Sequence, residues 1–110
     1  MEMETVVLLN ALITSSRMPM TLKTQPVGLG DVRKIVEKKV VASYIGHEAT
    51  AALLTQLLSV SVPTNRAMYD PMPGDKAIVV RMRKRLEKPE DLKEIREGDI
   101  EFLFVEYLNY

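Results

Sequence analysis

The sequence predicts one domain of the α/β (α+β) class, in which a small mixed β-sheet carries helices packed mainly on one face. Segments with apolar residues at helical spacing alternate along the chain with short aliphatic runs typical of buried strands. The chain has 110 residues, of which 46% are hydrophobic, and this is enough for one core. No repeat or linker interrupts it, so we expect a single domain over residues 1–110.

Apolar runs define the expected elements of the first half. Residues 6–9 are a continuous aliphatic run, typical of a buried strand. Residues 21–24 alternate weakly and predict a second strand. Asp31 follows two glycines and is a suitable N-cap for a helix whose apolar stripe starts at Val32. Residues 40–45 predict a further short extended segment.

The clearest helix begins near residue 47. Four leucines form one apolar stripe along it (Leu53, Leu54, Leu57 and Leu58), and Pro63 ends the run. Residues 65–69 predict a strand that is followed by the turn residues of 71–75.

The last third has the strongest strand pattern, over residues 76–86. Glu90 and Asp91 then predict the start of a short helix that ends at Gly98. Residues 100–108 predict the final hydrophobic strand.

Alternation along residues 76–86 sorts the side chains onto two faces. One face carries Ile78, Val80, Met82 and Leu86, which indicates a core face. The other carries Ala77 and Val79, followed by three arginines at every second position (Arg81, Arg83 and Arg85). This basic row is either a solvated strand face or an anion-binding surface, since the arginine fork suits phosphate oxygens.

The single histidine, His47, directly follows Gly46 and lies in the first turn of the expected helix. Free backbone N–H groups and the positive end of the helix dipole attract phosphate at such a position. Gly46 permits a close backbone approach or an unusual turn. His47 therefore has two interpretations: a polar residue that hydrogen-bonds near a helix end, or an acid or base that acts on a bound phosphate.

Charge and residue counts exclude several classes of function. The chain has 15 lysines and arginines against 15 aspartates and glutamates, so a long nucleic-acid duplex is not an expected partner, whereas a small anion is compatible. No cysteine is present, and one histidine cannot make an ordinary zinc site, so no metal is expected. No phosphate-loop or dinucleotide motif appears, so no cofactor is expected.

The absence of cysteine agrees with a cytoplasmic location, which for a viral protein is the host cytoplasm. The N-terminal run lacks a basic first region and contains Glu2, Glu4 and Asn10, so we interpret it as a strand rather than a signal peptide. No apolar run reaches the ~20 residues that span a bilayer, and no membrane partner is expected.

Four blocks occur in an order and at a spacing that resemble a known family. They are VLLNA (7–11), IGHEAT (45–50), VPTNR (62–66) and RL (85–86). The chain resembles the anti-CRISPR ring nucleases of archaeal viruses and phages, whose relatives also occur in type III CRISPR loci. Members of that family degrade cyclic tetra-adenylate, the second messenger of type III CRISPR defence. The resemblance covers nearly the whole chain.

The resemblance implies a homodimer that holds one cyclic tetra-adenylate at its two-fold interface. It also implies metal-independent cleavage, in which a ribose 2′-hydroxyl attacks the neighbouring phosphate and linear di-adenylates are released. By motif, His47 corresponds to the catalytic histidine. Arg66 and Arg85 correspond to phosphate-binding arginines.

Further ligand contacts follow from the same resemblance. Asn10 corresponds to a ligand-lining asparagine, and Gly46 belongs to the histidine block. Thr14 or Ser15 replaces a hydroxyl that the family places in the loop after the first strand.

The chain departs from the family after Arg85. The family commonly has a catalytic glutamate three residues after this arginine, where the present chain has Lys88. Glu87 and Glu90 flank that position. If the strand continues to residue 87, Glu87 shares a face with Arg85, and we assign it as the partner of His47 and Arg85 in catalysis.

Three hypotheses follow for the function. The chain is an active ring nuclease, or it binds the same cyclic nucleotide with slow or no cleavage, or it is a structural or nucleic-acid-binding protein that shares only the fold. Lys88 favours the second hypothesis, and the histidine with its two arginines argues against the third.

Overall fold

The computed structural model describes residues 4–83 and 95–109. In chain order, the elements are strand β1 (Thr5–Leu9), strand β2 (Thr21–Val27), helix α1 (Leu29–Glu37), strand β3 (Val40–Tyr44), helix α2 (Glu48–Leu58), strand β4 (Lys76–Met82), a 3-10 helix (Glu97–Asp99) and strand β5 (Ile100–Leu108).

The five strands form one mixed sheet in the order β2-β5-β4-β1-β3. β1 lies between β3 and β4 and is parallel to both, whereas β5 is antiparallel to β4 and to β2. The carboxyl ends of β1, β3 and β4 therefore lie at the same edge of the sheet. Ligands of open sheets with parallel strands bind outside this edge.

The main hydrophobic core lies between the helices and one face of the sheet. Val32 and Val36 of α1 and the leucine stripe of α2 pack there against alternate strand residues such as Leu8 and Ile78. Both helices lie on this face, because the cluster on the opposite face contains no helical residue of the described chain. The α+β class, the mixed sheet and the one-sided helix packing are confirmed.

The opposite face of the sheet is partly covered by loops, which corrects the prediction for residues 76–86. Ala77 and Val79 are buried, in a second cluster with Val105 and Tyr107. Ile13 and Tyr69, from the two long loops, pack against this cluster. The face that carries the arginines is therefore apolar along the first half of β4.

Three other predictions about local structure change. Helix α1 begins at Leu29 with Gly28 as N-cap, and Asp31 lies in the first turn, where its carboxylate accepts the Gly28 N–H at 3.1 Å. Residues 65–69 form no strand. α2 ends at Leu58, and Ser59 takes a left-handed backbone well before Pro63. Most of the helix predicted from Glu90 lies outside the described residues.

In the described part of the chain, neither helix has the length and apolar character that crossing a membrane requires.

Candidate functional site

Pairing of β1 with β3 brings two of the predicted blocks together. Leu9 lies opposite Tyr44 in the parallel register, so Asn10 and the segment that contains Gly46 and His47 leave the sheet at the same edge. Asn10 and His47 are both exposed there. The structure thus places the first-strand block and the histidine block side by side, although they are distant in sequence.

His47 is the N-cap residue of α2 and does not lie in its first turn. Its backbone is extended, and its carbonyl accepts the Ala51 N–H at 3.0 Å. Its side chain makes no capping hydrogen bond. The first N–H groups of the helix accordingly have no acceptor among the described residues. They are free to donate hydrogen bonds to a bound anion.

The His47 ring has one polar neighbour within the described residues, the buried Thr50. Its hydroxyl oxygen lies 3.4 Å from Nδ1, with donor and acceptor roles that depend on the tautomer. If the hydroxyl donates to Nδ1, the ring proton is on Nε2, at the other edge of the ring. Thr50 can then hold both the tautomer and the orientation of the imidazole.

Arg66 lies against the residue that precedes His47. Its Nε donates to the Gly46 carbonyl at 3.1 Å. A Cβ at Gly46 would lie 3.6 Å from the Arg66 Cγ, so the approach is close but sterically ordinary, and the backbone of Gly46 does not require glycine. The terminal guanidinium nitrogens have no hydrogen-bond partner in the described residues, and they form a donor pair that suits phosphate.

The loop that carries Arg66 is fixed to β3 by side-chain hydrogen bonds. Ser43 is buried and donates to the Pro63 carbonyl at 2.6 Å. Asn65 donates through Nδ2 to the Ser43 carbonyl at 2.9 Å and accepts the Ala67 N–H at 3.0 Å. The Asn65 backbone N–H donates to the Ile45 carbonyl at 2.9 Å. These bonds replace the regular strand pairing that the sequence predicted for residues 65–69.

The two predicted hydroxyl residues have different surroundings. Ser15 Oγ accepts the N–H groups of Arg17 and Met18, at 3.2 and 3.3 Å, and so closes a local turn. Thr14 is exposed, and its hydroxyl has no partner among the described residues. Thr14 follows Ile13, which lines the same cavity as Asn10. The Thr14 hydroxyl is therefore free to contact a ligand, whereas the Ser15 hydroxyl is used in the local turn.

Tyrosine side chains hold the two long loops over the sheet. Tyr107 donates its hydroxyl to the Ile13 carbonyl at 2.7 Å, and Tyr69 donates its hydroxyl to Asp75 at 2.6 Å. Burial, with a smaller effect of the nearby Asp75 carboxylate, raises the pKa of Tyr107 to about 12. Burial and the bond to Asp75 raise the pKa of Tyr69 above its usual value. Both hydroxyls thus stay protonated near neutral pH.

The basic row is weaker than the sequence suggests in the part that the structure describes. Arg81 and Arg83 are exposed, but Arg83 is ion-paired with Glu101. A cavity of about 430 Å³ beside Arg81 is otherwise apolar apart from Glu101 and contains none of the predicted site residues. One cation and one carboxylate do not favour a polyanion there, so this surface is not the candidate site.

Arg85, Glu87, Lys88 and Glu90 lie outside the described residues. The predicted phosphate contact of Arg85 and the catalytic assignment of Glu87 therefore stay predictions.

Sequence reasoning missed the residues that position the site. Thr50 contacts the ring of His47. Ser43 and Asn65 fix the loop that carries Arg66. One signal was available for Ser43, because it is a polar residue on the core-facing side of an otherwise apolar strand. The sequence also did not predict that Tyr44 and Tyr69 line a cavity at the carboxyl edge of the sheet.

Comparisons with known proteins identify one family model and several viral relatives. Residues 6–104 match the family model described as STIV B116-like. Protein 26 of Sulfolobus islandicus filamentous virus (isolate Iceland/Hveragerdi), itself uncharacterised, is 33% identical over 67 residues, which are 61% of this chain and 57% of that protein. The uncharacterised ORF117 of Acidianus two-tailed virus is 34% identical over 93 residues, 82% of this chain and 80% of that protein.

The fold also matches a solved structure. B116 of Sulfolobus turreted icosahedral virus superposes with a TM-score of 0.71 at 22% identity, over 94% of this chain and 98% of that chain. At this identity the match supports the fold alone. The matched segment of the present chain spans little more than half the length of protein 26.

Proposed function

Because this chain belongs to the STIV B116-like family, a group of small proteins of archaeal viruses, we propose that it is a ring nuclease that cleaves cyclic tetra-adenylate. One observation carries the proposal: Arg66 is bonded to the Gly46 carbonyl, next to a histidine at the start of α2 whose side chain does not cap the helix. The motif resemblance supplies the substrate. Cleavage of this second messenger would switch off type III CRISPR signalling in the host cytoplasm.

The chemistry needs four contributions: the described site offers candidates for two of them, and the bound ring supplies a third. The ribose 2′-oxygen attacks the adjacent phosphorus, the P–O5′ bond breaks, and a 2′,3′-cyclic phosphate and a free 5′-hydroxyl result. Arg66 and the first N–H groups of α2 stabilise the charge that builds on the phosphorane oxygens. His47 gives a proton to the departing 5′-oxygen. The bound ring aligns the nucleophile with the leaving group.

The acceptor for the proton of the 2′-hydroxyl is the fourth contribution. We assign it to Glu87, with Glu90 as the alternative, because the sequence has Lys88 at the position where the family commonly has glutamate. Arg85 is assigned as a second phosphate contact. None of these steps requires a metal ion, since arginine forks and amide N–H groups supply the stabilising charge.

We further propose that the active form is a homodimer. Two-fold symmetry suits a ring of four nucleotides, because each protomer can act on one of two opposite phosphates, and two cuts release two linear di-adenylates. Light scattering should give about 25 kDa, twice the 12.5 kDa of one chain. A stable monomer at micromolar concentration would contradict the shared site.

The second candidate is a protein that binds the ring without fast cleavage. Lys88 favours it, because a missing carboxylate removes a proton acceptor without removing the phosphate contacts. The alternative of a structural or nucleic-acid-binding protein predicts that no ring is bound.

One experiment separates the three. Radiolabelled cyclic oligoadenylates of different ring sizes are incubated with the chain, with and without a chelator. The proposal predicts chelator-resistant conversion of the four-membered ring to di-adenylates. If intact ring is retained on the protein, the second candidate is supported. If the protein neither binds nor cleaves the ring, both candidates are refuted.

A further inference from the structure

Two long loops contact the helix-free face of the sheet. The first loop (residues 10–20) connects β1 to β2, and the second loop (residues 59–75) connects α2 to β4. Ile13 of the first loop and Tyr69 of the second pack against the same apolar cluster of that face. The second loop also carries Arg66, whereas the predicted hydroxyl contacts belong to the first loop. The position of one loop relative to the other therefore determines whether one ligand can touch both.

One polar contact joins the two loops directly within the described residues. Arg17 Nε of the first loop lies 2.8 Å from Asp70 Oδ2 of the second loop. The turn closed by Ser15 places the backbone of Arg17, because Ser15 Oγ accepts its N–H. Neither charged side chain has another polar partner in the described part of the chain. This ion pair is therefore the contact through which a movement of one loop is transmitted to the other.

The loops are held less firmly at this ion pair than at the sheet. The tyrosine hydroxyl bonds that hold each loop at the sheet involve partly buried groups. The Arg17 and Asp70 side chains are instead 75% and 33% exposed. Their exposed neighbours Met18, Met68 and Met72 provide little buried packing. Because an exposed ion pair shifts a local equilibrium by at most about fivefold, it can break and re-form in the folded protein.

We infer that Arg17 and Asp70 are positioning residues: their ion pair holds the two loops together, and its opening releases the bound ring. A ligand that contacts both loops is released faster when the loops are free to separate. The release of the ring rests on the proposed function, whereas the coupling of the two loops does not. Because salt screens an exposed ion pair, the coupling should weaken as the salt concentration rises.

Amide hydrogen exchange of the protein without ligand tests the coupling. Asp70→Ala should speed exchange of the Arg17 and Met18 N–H groups, which donate to the turn of the first loop. Arg17→Ala should speed exchange of the Met72 N–H, which donates to Asp75 in the second loop. Each variant is thus read in the loop that was not changed. NMR should show rates about two- to fivefold higher, the range for one exposed ion pair.

Two controls separate the ion pair from a general loss of structure. Arg83→Ala breaks another exposed ion pair, with Glu101, whose side chains are 64% and 42% exposed and lie outside both loops. It should leave exchange in the loops unchanged. Arg17→Asp combined with Asp70→Arg reverses the pair and should restore slow exchange, although each single reversal should speed it. At high salt, the unmodified protein should exchange like Arg17→Ala.

Dissociation of radiolabelled cyclic tetra-adenylate into excess unlabelled ring tests the effect on release. His47→Ala is present in every protein so that the ring stays intact. Arg17→Ala and Asp70→Ala should each release the ring about two- to fivefold faster, and the double variant should not exceed either one. The charge-swapped protein should release it at the original rate. A direct contact of Arg17 with the ring would instead leave the release rate of Asp70→Ala unchanged and would not be rescued by the swap.

The possible failures differ. If no protein with His47→Ala binds the ring, the proposed function fails, and amide exchange alone decides whether the ion pair couples the loops. If neither Arg17→Ala nor Asp70→Ala alters exchange in the opposite loop, the coupling is refuted and the proposed function stands. If exchange changes but release of the ring does not, Arg17 and Asp70 do not control release.

Discussion

Asn65→Ala is the change that most directly tests how the candidate site is built. The Asn65 side chain makes two hydrogen bonds, to the Ser43 carbonyl of β3 and from the Ala67 N–H. Its backbone bond to Ile45 does not depend on the side chain. The substitution therefore loosens the loop on both sides of Arg66 while the chain path at residue 65 is retained.

The expected cost follows from these two bonds. Each contributes roughly 0.5–1.5 kcal/mol, and the bond to Ala67 is exposed and belongs at the low end, so their loss should lower the free energy of unfolding by about 1.5 kcal/mol. For a domain of this size, that corresponds to a fall in melting temperature of about 8 °C. Because the loop that positions Arg66 is loosened on both sides, cleavage of the ring should fall roughly 10- to 100-fold in protein that is still folded.

Two assays on one preparation give the answer. Thermal unfolding followed by circular dichroism measures the stability, and single-turnover cleavage of cyclic tetra-adenylate well below the melting temperature measures the rate. Thr64→Ala is the matched control, since Thr64 is exposed, adjacent, and makes no side-chain hydrogen bond within the described residues. It should change stability by less than about 0.5 kcal/mol.

Either of two results refutes this reasoning. If Asn65→Ala melts like Thr64→Ala, the two side-chain bonds do not hold the loop. If it melts lower but cleaves at the normal rate, the position of Arg66 does not depend on the two side-chain bonds of Asn65.

Three further predictions concern single side chains. Arg66→Ala should weaken binding of the ring by about 2 kcal/mol, whereas Arg81→Ala and Arg83→Ala should matter less, and calorimetry in which all three are equivalent would indicate a diffuse basic surface. Thr50→Val should slow cleavage about tenfold with little change in ring binding, and Thr50→Ser should restore the rate; equal rates in all three proteins would exclude a positioning role. The raised pKa of Tyr107 means that its protonated form is favoured by folding, so its stabilising contribution is complete below the unfolded value near 10 and is lost as the pH rises towards about 12. Tyr107→Phe should reduce that alkaline loss of stability in pH-dependent denaturant titrations, and an unchanged pH profile would contradict the assignment.

Elements with a continuous apolar pattern could be predicted from the sequence. The first strand, the leucine-rich helix and the last strand agree closely with β1, α2 and β5. The apolar residues of these elements are those that are buried on one or both faces, and buried positions repeat at the period of the element. The position of His47 at the beginning of α2 follows from the same patterns. Its location at the same sheet edge as Asn10 follows once β1 and β3 are paired.

Features that depend on distant partners could not be predicted in this way. Residues 65–69 look extended in sequence, but their hydrogen bonds go to Ser43, Ile45 and their own side chains rather than to a strand. Ala77 and Val79 were expected on a solvated or anion-binding face, but loops anchored by Tyr107 and Tyr69 help to cover that face. Periodicity reports the burial pattern of one element and contains no information about which loop covers it.

The single-turnover rate of His47→Ala tests the central claim most directly. We expect cleavage of cyclic tetra-adenylate to slow by about 100-fold or more, as for the loss of a positioned proton donor, while ring binding and the melting temperature change little. Little change in stability is expected because the His47 side chain makes no capping hydrogen bond. A folded His47→Ala protein that cleaves at the rate of the unmodified chain would contradict the assignment of His47 as the catalytic acid.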